Sequence, residues 1–235
     1  MTLLKGGMIL ALIGADGAGK STQSQTLAQW LGWKLDVVVY YMGSKHPSRL
    51  SKLLYLLLRI TRRSHGIISR LLGEKNLLAS LMKILRQSLL YSHSLSIGYD
   101  RYRRYLLGKK KAGEGYLVIF DRFPLEAPLD GPQIHLSTDG RMGSIANLFS
   151  RAERKLYSKI RPPDCFIVLD VSPQVSLQRK PDHKREAIEA KNQLLNEIIA
   201  KNRPQALSSR MICLDANLPF EQVLGQIKKK VWEIL

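Results

Sequence analysis

Gly14-Ala15-Asp16-Gly17-Ala18-Gly19-Lys20-Ser21, with Thr22 behind it, decides how this chain is read. The stretch is a full G-x-x-x-x-G-K-[ST] phosphate-binding loop. Residues 8–13 ahead of it are an apolar run suited to a buried strand. Residues 21–31 behind it carry good helix formers with apolar side chains at helical spacing. In that setting the glycines let successive backbone N–H groups turn inward toward phosphate oxygens. The positive end of the following helix adds to the same spot. Lys20 is expected to reach the β- and γ-phosphates of ATP, and the Ser21 hydroxyl to ligate Mg²⁺. A glycine-rich turn that binds nothing is the plain alternative.

The chain of 235 residues is 45% hydrophobic and 24% charged, enough for one α/β domain with a sizeable core and short for two. Against 19 Asp and Glu stand 37 Lys and Arg, a net charge of +18. That excess favours polyanionic partners: nucleotides, nucleic acid or an anionic membrane face. Cys165 and Cys213 lie in apolar runs and are expected to be buried free thiols in a reducing compartment. No C-x-x-C spacing points to structural zinc, and the histidines are scattered singly. The longest leucine-rich run, residues 53–58, is broken by Arg59 and is too short to span a bilayer. The N-terminus is expected to run straight into the first strand, without a cleavable signal peptide. A cytoplasmic protein is expected.

Apolar runs at residues 8–13, 36–41, 116–120, 165–170 and 211–214 alternate with helix-like segments at 20–31, 95–111, 145–160, 173–178, 184–201 and 219–235. The alternation predicts a parallel sheet wrapped by helices. Residues 43–94 stand apart as an insert rich in Leu, Arg and Lys, which reads as two amphipathic basic helices. Ser64-His65-Gly66 is expected to separate or kink them. Such a hairpin can pack on the domain or form a dimer face. It can also lie on an anionic membrane, whereas a nucleic-acid patch is the least favoured use. Residues 124–144 form a long Pro-, Gly- and Asp-containing loop of the kind usually tied to function.

Two further constellations fit the phosphate loop. Asp121-Arg122-Phe123 closes the run at 116–120, so a carboxylate and a guanidinium stand at the carboxyl end of a strand, facing the loop. Arg122 can clamp a second phosphate, and Asp121 can act on the Mg²⁺ shell or position the acceptor oxygen. An ion pair capping a strand is the alternative. In residues 179–186, Arg179, Lys180, Lys184 and Arg185 crowd a flap that can close over transferring phosphates; a solvated basic loop is the alternative.

The ordered set resembles the thymidylate kinase family of P-loop nucleoside monophosphate kinases. It comprises Gly14 to Thr22, Asp100-Arg101 leading through Gly113 to Phe120, Asp121-Arg122-Phe123, Pro163-Asp164 through Leu169-Asp170-Val171-Ser172-Pro173, and Leu214-Asp215-Ala216. The resemblance implies one P-loop NTPase domain over 1–235, a three-layer sandwich with a five-stranded parallel sheet, helices on both faces and the insert at 43–94. It also implies phosphoryl transfer from ATP with Mg²⁺ to a dTMP-like acceptor. Gly14, Ala15, Asp16, Gly17, Ala18, Gly19, Lys20, Ser21 and Thr22 would hold the donor. Ser21 and Asp121 would hold the metal. Asp16, Arg101 and Arg122 would serve the acceptor; Asp130, in the substituted loop, reads either as a further acceptor-site residue or as a turn former before Gly131. The loop itself has no arginine, so Arg179 and Arg185 become the catalytic lid candidates beside Lys20 and Asp121. Homodimers occur in that family.

The acceptor segment departs from the family pattern. Residues 123–132 lack its S-x-x-A-Y-Q, and Ile97 stands where an aromatic usually stacks on the base. A kinase of the same fold acting on a nucleoside, sugar or lipid-linked acceptor is therefore the first alternative. A nucleotide-dependent switch without turnover is the second.

Overall fold

The apolar runs form five parallel strands in a computed structural model that describes residues 6–73, 76–124, 144–183, 185–202 and 211–235. They are β1 (Met8–Gly14), β2 (Val37–Tyr41), β3 (Leu117–Asp121), β4 (Cys165–Asp170) and β5 (Met211–Asp215), ordered β2-β3-β1-β4-β5. Seven helices lie among the described residues: α1 (Lys20–Leu31), α2 (Arg49–Leu72), α3 (Leu77–Gly113), α4 (Ser144–Tyr157), α5 (Pro173–Arg179), α6 (Arg185–Asn202) and α7 (Phe220–Ile234).

Two compact units divide the chain. The first comprises Met1–Gly43, Arg104–Asp130 and Pro162–Leu235, and the second Ser44–Arg103 and Gly131–Arg161.

All five strands belong to the first unit. β1, β3 and β4 are apolar at nearly every position because parallel strands are covered on both faces. On one face Leu10, Leu12, Leu117, Ile119, Ile167 and Leu169 pack with Leu27 and Leu31 of α1 and Val223, Ile227 and Val231 of α7. Each such side chain contributes about 1.5–3 kcal/mol when fully buried. On the other face the last turns of α3 approach β3. Tyr105 packs on Phe120 with ring centroids 6.3 Å apart, and a Cβ at Gly108 would stand 2.5 Å from the Phe120 ring. Only glycine permits that approach. Phe123 completes this face edge-on to Phe166 at 5.6 Å.

In the second unit, α2 and the earlier part of α3 meet through small polar groups. Asp100 accepts from the Ser48 backbone N–H at 2.9 Å and the Ser51 hydroxyl at 2.8 Å, and Ser96 Oγ lies 2.9 Å from Ser51 Oγ. Tyr55 packs on His93 at 5.7 Å. α4 joins through Phe149 against Tyr91 at 5.8 Å.

Three expectations are corrected. α2 runs unbroken through Ser64-His65-Gly66, and the chain turns at Gly73, whose φ is +80°. The second helix of the insert and the helix expected at 95–111 are one helix of 37 residues. Cys165 is buried as expected, but Cys213 is exposed on β5. Burial, with help from Asp164, pushes the Cys165 thiol up to about 11.

Candidate active site

β1 ends at Gly14 in the middle of the sheet, and the chain must curl to start α1. Gly19 makes the turn with φ +82° and serves as N-cap without a side-chain hydrogen bond. The first amides of α1 are therefore left facing the loop's mouth, the arrangement that receives phosphate oxygens. Gly17 has φ +84°, and a Cβ there would lie 3.0 Å from Ser176 Oγ. Ser176 of α5, itself fully buried, donates to the Asp16 carbonyl and braces the loop from outside.

Lys20 is buried, and its Nζ donates to the carbonyls of Gly14 at 2.8 Å and Ala15 at 2.7 Å. Ser21 donates to Asp121 Oδ2 at 2.6 Å. The register explains that pair: β3 runs beside β1 with Asp121 opposite Leu12, which sets the carboxylate at the strand end next to the loop. Arg122 follows in the left-handed region, φ +67°. A non-glycine residue there is strained by of order 1–3 kcal/mol, a cost that clusters at working sites. The bend carries its guanidinium to 3.7 Å from Asp16 Oδ1 and to the Tyr41 ring at 5.6 Å.

Asp16 collects more partners than the sequence foretold. Lys191 of α6 donates to its Oδ2, and His183 Nδ1 stands 3.7 Å from the same atom. Burial alone would raise this carboxyl. The Lys191 hydrogen bond and the charges of Lys191, Lys20 and Arg122 outweigh it and hold the group below the usual aspartate value. Lys191 was legible in principle. With Asn192 it sits on the α6 stripe marked by buried Ile188 and Leu195, and polar residues on an apolar stripe ask for a partner. His183 carried no such mark.

Arg179 closes α5. Its Nη1 donates to the carbonyls of Ala216 at 2.8 Å and Gly17 at 3.2 Å, and Nη2 to Leu218 at 3.4 Å. It lines a cleft of about 330 Å³ with Gly17, Ala18, Ala216, Leu218 and Phe220. Arg185 is exposed and pairs with Glu189 one turn along α6 at 2.7 Å. Thr22 is exposed on the first turn of α1.

The structure thus gathers Asp16, Lys20, Ser21, Asp121, Arg122 and Arg179 about the loop. Arg101 belongs to the second unit, buried, donating to the Tyr157 hydroxyl at 2.7 Å and to Ser44 Oγ at 3.3 Å. Asp130 lies outside the described residues, as does Lys184 in the flap. Among the described residues no cluster of three or more His, Cys, Asp or Glu could hold a metal ion.

No family model matches the chain. The uncharacterized ATP-binding protein YghR of Escherichia coli (strain K12) is 25% identical over 95% of this chain and 86% of its own length. A probable thymidylate kinase 2 of Saccharolobus solfataricus is 26% identical over 97% of both chains. A deoxyadenosine kinase from M. mycoides, solved with bound dCTP, shares the fold with a TM-score of 0.59 at 17% identity, covering 96% of this chain and all of that one. The chain has a P-loop NTPase fold, and in sequence it is similar to proteins named thymidylate kinase over nearly its whole length.

Proposed function

We propose that the protein transfers the γ-phosphoryl group of ATP, with Mg²⁺, to a nucleoside monophosphate of dTMP type. The observation that carries this reading is the Ser21–Asp121 pair at 2.6 Å, set beside Lys20 at the mouth of a phosphate loop. A hydroxyl and a carboxylate are hard oxygen donors, and Mg²⁺ takes one or two such groups and fills its shell with phosphates and water. When bound there, Mg²⁺ would neutralise charge on the transferring phosphates.

The chain's own share is positioning. The loop amides and Lys20 hold the donor phosphates, with Lys20 exchanging its two carbonyls for phosphate oxygens. The cleft walled by Arg179 and Phe220 suits the donor base, a guanidinium plane on one side and apolar groups around it. Arg122 binds the acceptor phosphate, an oxygen of which attacks the γ-phosphorus while the bond to the β–γ bridging oxygen breaks. The products are ADP and a nucleoside diphosphate. Asp16 and Arg101 serve the acceptor's sugar and base, and Asp130 is assigned there too. Arg185 and Lys191 supply the positive charge that stabilises the transition state, with Arg179 closing the donor end of the same flap. Cytoplasm, where both nucleotides occur, is the matching location.

A second reading, a same-fold kinase for a nucleoside or another acceptor, draws on Ile97. This residue holds the position of the family's stacking aromatic and is buried aliphatic. A base without a stacking partner forfeits about 1–3 kcal/mol.

The deciding experiment measures ATP consumption with Mg²⁺ against each nucleoside monophosphate and its matching nucleoside, with the product identified by mass. Selective formation of dTDP supports the first reading. A nucleoside turned over in place of its monophosphate replaces it by the second. Tight ATP binding with no phosphorylated product removes the first reading and leaves a same-fold kinase for a sugar or lipid-linked acceptor, or a nucleotide-dependent switch.

A further inference from the structure

α2 turns an apolar arc to solvent. At about 100° per residue, Leu50, Leu53, Leu56, Leu57, Ile60 and Ile67 gather on one arc of the helix. Every one of them is exposed, Leu50 and Ile67 by more than half, at 57% and 58%. The opposite side carries buried Ser51 and Thr61 with half-buried Leu54 and Leu58 between them. Next to the apolar arc runs a basic one, formed by Lys52, Arg59, Arg62, Arg63 and Arg70. All five are exposed, and none pairs with a carboxylate among the described residues. No acidic residue occurs between 49 and 72. Within the same unit the first turns of α3 repeat the pattern: Leu77, Leu81 and Ile84 are exposed, Lys83 and Arg86 accompany them, and the first acidic residue is Asp100.

We propose that this face of α2 is a docking surface for an anionic lipid bilayer, lying in the headgroup plane. An exposed apolar arc flanked by cations is what an interfacial helix presents. The leucines enter the acyl boundary while Lys and Arg reach up to anionic headgroups. No described helix is long and apolar enough to cross a membrane, so the helix lies on the surface. Charge selects the bilayer over the other occupants. A second copy docked about a two-fold axis would bring the same cations together with no carboxylate on the face to answer them. A nucleic acid would satisfy the basic arc and leave the leucines in water.

Flotation of the full chain with phosphatidylcholine vesicles containing phosphatidylglycerol, against pure phosphatidylcholine, tests this. The wild type is expected to float with the anionic vesicles and to be released by high salt. Arg59→Glu/Arg62→Glu/Arg63→Glu should lower partitioning by roughly a hundredfold or more. Leu53→Ser/Ile60→Ser should weaken it as well without reducing salt sensitivity. Both variants change exposed positions, and unchanged circular dichroism and ATP binding establish that they fold. Equal flotation with both vesicle types, or none with either, overturns the proposal. So does a dimer in solution that Leu53→Ser/Ile60→Ser splits while the wild type ignores vesicles, or retention by RNA alone. None of these outcomes depends on which acceptor is phosphorylated.

Discussion

The phosphate loop and α2 spend positive charge in opposite ways. At the loop, Lys20, Arg122 and Lys191 are drawn into a small volume, each held by carbonyls or by Asp16. On α2, five cations stand apart in water along one arc. In the first region geometry fixes what each charge does, and a displacement of an ångström alters it. In the second the charges only add up to a field, screened within about 10 Å in ordinary salt, and single residues are interchangeable. Net charge is thus two quantities in this protein: a few charges at fixed addresses, and many that count by their sum.

Lys20→Ala tests that contrast most severely. It should lower kcat by at least about 10²–10³-fold in the ATP-coupled assay, while Arg63→Ala on α2 leaves kcat unchanged. An equal effect from both would dissolve the comparison. Gly17→Ala comes next. The new Cβ meets Ser176 in a backbone conformation that alanine resists, so a loss of about 1–3 kcal/mol is expected in urea unfolding, with weaker ATP binding.

The depressed Asp16 carboxyl gives a pH test. A lowered folded-state pKa adds stability that is present above the unfolded value and is lost as pH falls through the folded one. The acid limb, below about pH 4, should therefore flatten in Asp16→Asn. It should also shrink in Lys191→Met, where burial is left to act on the carboxyl with less compensation and the folded value rises toward the unfolded one. Following thermal melts from neutral pH into acid would show either change.

Asn192 sharpens the comparison from the apolar side. It is buried on α6, and neither amide atom has a hydrogen-bond partner among the described residues. Asn192→Leu should gain about 1 kcal/mol by removing an unmet polar group. Smallest of all, Arg63→Ala should leave stability within about 0.5 kcal/mol, as an exposed charge without a partner does.

Elements whose cause is local were readable from the sequence. The loop, β1 and α1 follow from glycines beside an apolar run, and the five strands follow from their own apolar content. Features decided by where the chain lands were not. Ser64-His65-Gly66 looked like a break, yet the helix costs only about 1 kcal/mol more at an exposed glycine, and α2 continues to Gly73. Arg179 read as one cation in a basic flap; its three carbonyl partners come from Gly17, Ala216 and Leu218, far apart in sequence. Lys191 reaches Asp16 across 175 positions, a distance that no local pattern encodes. Cys213 sits in an apolar run on a strand at the rim of the sheet, where one neighbour is missing and the side chain meets solvent.

That last exposure makes the molecule addressable. The buried Cys165 thiol, pushed up to about 11, stays protonated and out of reach of a maleimide, so the native chain should take a single fluorophore at Cys213. The dye would sit on β5, three residues before the Ala216 carbonyl that holds Arg179. Without a single engineered residue, the protein would then carry its own reporter of whether the neighbouring cleft is filled.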